Sequence, residues 1–122
     1  MSSTSARYPY QNEPVWSKSE KAMARRLFDA ALKRELQAVM QETKQMASEI
    51  KEREDVWELE RYLTERRKDI DRRYDCRSSR LTLVLGMLLS ESRITDEELH
   101  GLREDKVKAI HACAKFLSED AA

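Results

Sequence analysis

The side chains able to do chemistry are few. His100, His111, Cys76 and Cys113 are the metal-ligand or nucleophile types in this chain of 122 residues. On a helix His111 and Cys113 lie two positions apart and point to different faces, so they cannot share a metal unaided. His100 and His111 are about three helical turns apart. The two cysteines have no metal-type spacing and are expected to be reduced thiols. With only two glycines, Gly86 and Gly101, no loop is available to cradle a phosphate, and no triad or carboxylate pair is recognisable. The chain is expected to be no enzyme and to need no metal or other cofactor.

Recognition chemistry is richer. The stretch REDVWELERYLTERRKDID sets one tryptophan, Trp57, among charges. On a helix Trp57, Glu60, Thr64 and Arg67 form one stripe. It lies about a quarter turn from the face carrying Val56, Leu59, Leu63 and Ile70. Trp57 therefore sits on the shoulder of an apolar face, and Arg61, one turn on, can lie across its indole. Two readings stay open at this point. Trp57 closes the edge of a dimer seam, or it is the aromatic anchor of a binding hot spot ringed by Arg and Glu.

Other partners are disfavoured. Basic and acidic residues balance at 23 each, and Arg66, Arg67, Lys68, Arg72 and Arg73 interleave with Asp69 and Asp71. That pattern argues against nucleic acid, which usually meets a one-sided basic face. No apolar run reaches membrane-spanning length, and the start MSSTSARYPY lacks a secretory apolar region, so a cytoplasmic protein with no membrane insertion is expected.

The elements positioning these residues are helices. Both prolines, Pro9 and Pro14, precede the first periodic segment, 38% of residues are charged, and no strand-like alternation appears. Residues 1–14 read as a flexible tail, and 15–122 as one helical domain. Its arm covers about 17–74 and its head about 77–118. Three starts carry capping-box spacing: Ser17 with Glu20, Asp55 with Glu58, and Thr95 with Glu98, the last flanked by Ile94 and Leu99. From Leu32 a seam runs through Leu36, Val39, Thr43, Met46 and Ile50, with Leu27 and Ala31 widening it in front. The apolar phase slips inside KERED, predicting a break near 51–55. The block LTLVLGMLL, Leu81 to Leu89, is apolar on all sides and predicts a central helix. A boundary is expected near Asp75 to Ser79, and a last helix from Asp96 to about Ser118. The expected architecture is all-α: a long helical arm followed by a compact cluster of shorter helices. The arm's seam (Leu36, Val39, Met46, Ile50, with Trp57 at its edge) pairs two copies into an elongated homodimer.

Over residues 14 to 117 the chain resembles the fluorescence recovery protein family of cyanobacterial photoprotection. The stretches that carry the likeness are PVWSKSE, LFDAALKREL, VWELERYLTERRKDIDRRYDCRSS, LLSES and DEELHGL. The resemblance implies an all-helical homodimer without a cofactor. It implies a partner, the orange carotenoid protein in its photoactivated red form, whose return to orange is speeded and whose release from the phycobilisome is helped. It also implies a binding patch of Trp, His and Asp on consecutive turns, then Arg. Trp57 and Arg67 hold the matching places; Glu60 stands where the family carries His, and Arg61 where it carries Asp. A further contact in the third helix falls on Leu83. The alternative is a dimeric helical interaction module outside photoprotection, with the same scaffold and an altered patch.

Overall fold

The structure is a computed structural model that describes residues 15–74, 77 and 80–121. The expected tail, and Asp75, Cys76, Ser78 and Ser79 at the expected boundary, lie outside the described residues. Four α-helices follow one another: α1 (Lys18–Ser48), α2 (Arg53–Arg73), α3 (Leu81–Ser90) and α4 (Glu104–Ala121), with a 3-10 turn, Glu97–Gly101, between the last two. No strand occurs among the described residues.

α1 begins as its spacing predicts. The Ser17 amide donates to Glu20 Oε1 at 3.0 Å, and the Glu20 amide donates to Ser17 Oγ at 3.2 Å. α2 begins earlier than expected. Asp55 is the third residue of the helix and does not cap it; its Oδ2 accepts from the amides of Lys51 (2.9 Å) and Glu52 (3.0 Å). A carboxylate at this position reaches back to amides at and before the cap that the helix itself leaves unpaired. The chain reversal at residues 49–52 coincides with the phase slip.

The expected single last helix is divided. Thr95 and Glu98 do form reciprocal hydrogen bonds, at 2.9 and 3.3 Å. They open only the 3-10 turn, after which Leu102 is extended (φ −86°, ψ 158°). The chain here lies against α1: Leu102 is buried, and the Arg103 amide reaches Glu20 Oε2 at 3.4 Å. The interruption falls directly after Gly101, a poor helix former whose missing Cβ leaves room for Met23 of α1.

The core belongs to the head. Leu81, Val84, Leu85 and Leu88 of α3 meet Ile94, Leu99, Leu102 and Ile110, closed on one side by Trp16, Ala24, Leu27, Phe28 and Ala31. The front half of α1 is therefore a wall of the head, and Leu27 and Ala31 do not extend the seam. Each fully buried Leu or Ile contributes about 1.5–3 kcal/mol. α3 lies so close to α4 that a Cβ on Gly86 would meet Cys113 Cβ at 2.8 Å and Sγ at 2.9 Å. Gly86→Ala is expected to cost about 1–3 kcal/mol by forcing the helices apart. Chemical denaturation checks it; a loss under about 0.5 kcal/mol contradicts the close approach.

One surface pair bolts α1 to the loop before the 3-10 turn. Arg34 donates to both Glu98 oxygens, at 2.8 and 2.6 Å, and to the Arg93 carbonyl at 2.7 Å. The Arg34 guanidinium is the main cause holding the Glu98 carboxyl down at about 2, against an ordinary 4.5. A depressed carboxylate gives its full stabilisation above the unfolded value and loses it as pH falls to the folded one. Because the Arg34 side chain is 45% exposed, solvent screening leaves about 1 kcal/mol. Between pH 4.5 and 2, the melting temperature should fall more steeply for the wild type than for Glu98→Gln. Parallel curves would contradict the assignment.

Candidate protein-binding face on the second helix

α2 doubles back antiparallel along α1: Arg66 meets Glu35, while Tyr74, later in the chain, stands edge-on to Phe28, earlier in it (ring centroids 6.1 Å, 84° between planes). Burial in α1 ends at Glu35, and no residue of α2 is buried. The outer part of the hairpin is thus a two-helix ribbon with apolar side chains left in the open. Leu36, Met40, Ile50, Val56, Trp57 and Leu63 are all exposed. Val39 and Met46 are half-buried. Between the helices runs a groove of about 440 Å³ lined by Leu32, Leu36, Val39, Leu63, Ile70, Arg66, Arg67 and Asp71. Arg67, placed by periodicity on the Trp57 stripe, lies at this groove.

Trp57 is the most exposed of the hairpin's large apolar residues, at 62%. That value places it outside any core of the single chain. Glu60, Arg61, Thr64 and Arg67 around it are also exposed. Thr64 donates to Glu60 Oε2 at 3.1 Å, so Glu60 is partly engaged. Arg61 and Arg67 have no ion pair or side-chain hydrogen bond among the described residues. Arg61 does not lie over the Trp57 indole. The cation–π contact among the described residues is Lys106 over Trp16, with Nζ 5.7 Å from the ring centroid. At an exposed site such stacking is worth only about 0.5–1 kcal/mol, similar to the entropy it costs.

Leu83 is half-buried in α3, inside the head. Trp57 lies about 25 Å of helix axis before Tyr74, whose ring packs on the head core. Trp57 thus stands on the ribbon, far along α2 from Tyr74, while Leu83 belongs to α3 of the head. His111 and Cys113 diverge as expected: Cys113 is buried, while His111 Nε2 meets Asp96 Oδ1 at 2.6 Å on the surface. No group of three His, Cys, Asp or Glu able to hold a metal occurs among the described residues.

Sequence reasoning missed Glu35. Its side chain is fully buried, accepting from Arg66 Nη2 (2.5 Å), Arg73 Nη1 (3.4 Å) and the Tyr74 hydroxyl (2.8 Å). Burial, and then the Glu35 hydrogen bond, push the Tyr74 phenol up. The available signal was position: Glu35 lies one turn after Ala31 on the Leu27–Ala31 line, where a charge must be paired.

The helical order, the bare ribbon and the apolar head have close counterparts. The family described as photoprotection regulator fluorescence recovery protein matches residues 16–114. The chain belongs to the fluorescence recovery protein family. The fluorescence recovery protein of Synechocystis sp. strain PCC 6803 is 37% identical over 104 residues, spanning 85% of this chain and 95% of that one. Its solved structure superposes with a TM-score of 0.78, covering 83% of this chain and 99% of that chain. The Fremyella diplosiphon fluorescence recovery protein gives a TM-score of 0.77 at 34% identity, with the same coverage. The all-α expectation is met by both the structure and these relatives. Fluorescence recovery proteins are described as photoprotection regulators and not by a catalysed reaction. Among the described residues no helix is long and apolar enough to cross a membrane.

Proposed function

We propose that this protein is a non-catalytic regulator that binds the photoactivated form of an orange-carotenoid-type protein and speeds its return to the orange, inactive form, ending antenna quenching. The observation that carries the reading is Trp57, 62% exposed on α2 one turn before Arg61, with Arg67 about 15 Å further along the same helix, in a chain of this family. An exposed indole with unengaged guanidinium groups on its helix is a low-entropy anchor for a partner surface. The regulator acts by differential affinity: it engages the photoactivated partner and binds the arrangement on the way back to orange better still, which lowers the barrier between the two forms. The test is to photoconvert purified orange carotenoid protein, add this protein, and follow the dark return of the orange spectrum. Acceleration supports the proposal, and an unchanged rate rejects it.

We also propose a homodimer built on the ribbon, since Leu36, Val39 and Met46 recur along α1 with Ile50 in the turn beyond its end, and Leu36 is 44% exposed. Such apolar surface is unusual on a lone small domain. Sedimentation at micromolar concentration is expected to give twice the chain mass of 14.3 kDa; a monomer rejects it.

A specific observation favours the second reading, a helical interaction module outside photoprotection. Arg61 is an exposed cation where the resemblance implies an acid. Reversing one charge against a fixed partner costs several kcal/mol. If the wild type leaves recovery unchanged while Arg61→Asp accelerates it, the scaffold is intact and the face is tuned to a different partner.

A further inference from the structure

We propose that Glu35 is a positioning residue, a single-carboxylate latch that holds α2 closed against α1, and that α2 opens as a unit separate from the head. Several observations meet here. α2 contributes no buried residue, so little apolar burial fastens it to α1. The head has its own core, drawn from α1, α3, α4 and the segment around the 3-10 turn, and among the described residues Tyr74, just past the end of α2, packs against it.

The polar contact is concentrated instead. Donors from Arg66, Arg73 and Tyr74 converge on one carboxylate with no solvent exposure. Arg73 also reaches Glu91 Oε1 at 2.5 Å, beside the end of α3, so the latch joins α2 to the head as well as to α1. A buried carboxylate is tolerable only while its donors stay in place, since losing them leaves an uncompensated charge. The donors share one acceptor, so the contact makes and breaks as a unit and does not slide. Arg66 is bound to Glu35, and both it and its neighbour Arg67 line the groove. Fixing Arg66 therefore fixes the rotation of α2 about its axis, and with it the direction in which Trp57 and Arg67 point.

The first readout is amide hydrogen exchange on the full chain, comparing wild type, Glu35→Gln and Tyr74→Phe at a concentration where sedimentation gives one oligomeric state for all. Glu35→Gln keeps the shape and one acceptor but removes the charge. It is expected to raise exchange across α2 by about tenfold and to leave α3 and α4 within about twofold, with Tyr74→Phe between it and the wild type. Equal acceleration of α2 and the head, or unchanged α2 protection, overturns the proposal. If Glu35→Gln does not fold, Tyr74→Phe, which leaves the carboxylate and both arginines, decides alone.

The orienting role rests on the partner-binding reading above and has its own readout. In the orange-recovery assay Glu35→Gln should raise the half-saturating concentration and leave the plateau rate unchanged, because fewer molecules present the competent face. An unlatched α2 with wild-type concentration dependence rejects the orienting role. A wild type inert in recovery rejects the proposed function instead, and the exchange data then judge the latch.

Discussion

Replacing Trp57 with alanine is expected to remove about 2 kcal/mol or more of partner affinity, about thirtyfold, while leaving the fold intact. Both halves follow from its position. At 62% exposure the ring contributes little to the single chain, and it stands on a helix that buries nothing. Thermal unfolding should therefore match the wild type within about 0.5 kcal/mol. On a partner surface the same ring would bury its apolar area, with Arg61 and Arg67, which make no ion pair among the described residues, able to meet acceptors. The measurement is the concentration dependence of orange recovery, with direct binding to the photoactivated partner alongside. Wild-type affinity in Trp57→Ala would move the binding face off α2. A large loss of stability would instead place the ring in a dimer seam, the first of the two readings open from sequence.

The largest stability change is expected at Lys106. This lysine is 2% exposed. Its Nζ lies 3.3 Å from Glu20 Oε1 and 3.1 Å from Asp105 Oδ2, under the Trp16 ring. Burial works to raise the Glu20 carboxyl, but hydrogen bonds from Ser17, Lys106 and Arg103 outweigh it, and the net shift is downward. Lys106→Met removes the neutralising charge and leaves that carboxylate at 5% exposure. Breaking one side of a buried pair costs about 3–5 kcal/mol. The lower end applies here, because the Ser17 and Arg103 amides still reach Glu20. Adding Glu20→Gln to Lys106→Met should recover a large part of the loss, since the double variant no longer buries an unpaired charge. Denaturant unfolding of both single variants and the pair measures this coupling. Additive losses would show that the two residues act independently.

Glu20, Glu35 and Lys106 also mark where sequence reading stops. Missing helix breakers and a 3.6-residue period are enough for an all-α fold, and the phase slip in KERED locates the turn between α1 and α2. Ser17 and Glu20 place the first helix start to the residue. A charged residue, however, reads as solvent-facing unless the opposing surface is known, and that surface is tertiary. Glu35 is sealed by α2 returning from beyond a turn, and Lys106 by Trp16, far away in sequence. The division of the last helix at Leu102 was hidden in part for the same reason. There Gly101, a poor helix former, coincides with a close approach to Met23 of α1, and only the first of these is visible in the sequence. Trp57 was legible because its position depends only on helical phase, and phase put it at the edge of the apolar face.

Because α2 sets none of its side chains into the core, the face it shows is free of the constraints that fix the head. Glu60 and Arg61 are both exposed, and the one side-chain bond they make among the described residues is the Thr64 hydrogen bond to Glu60, so substitutions there cost the single chain little in folding. A lineage carrying this chain can lose one partner and acquire another in a few single-residue steps. The head is inherited whole while the outward surface of α2 drifts, and a relative with the same skeleton need not answer to the same protein.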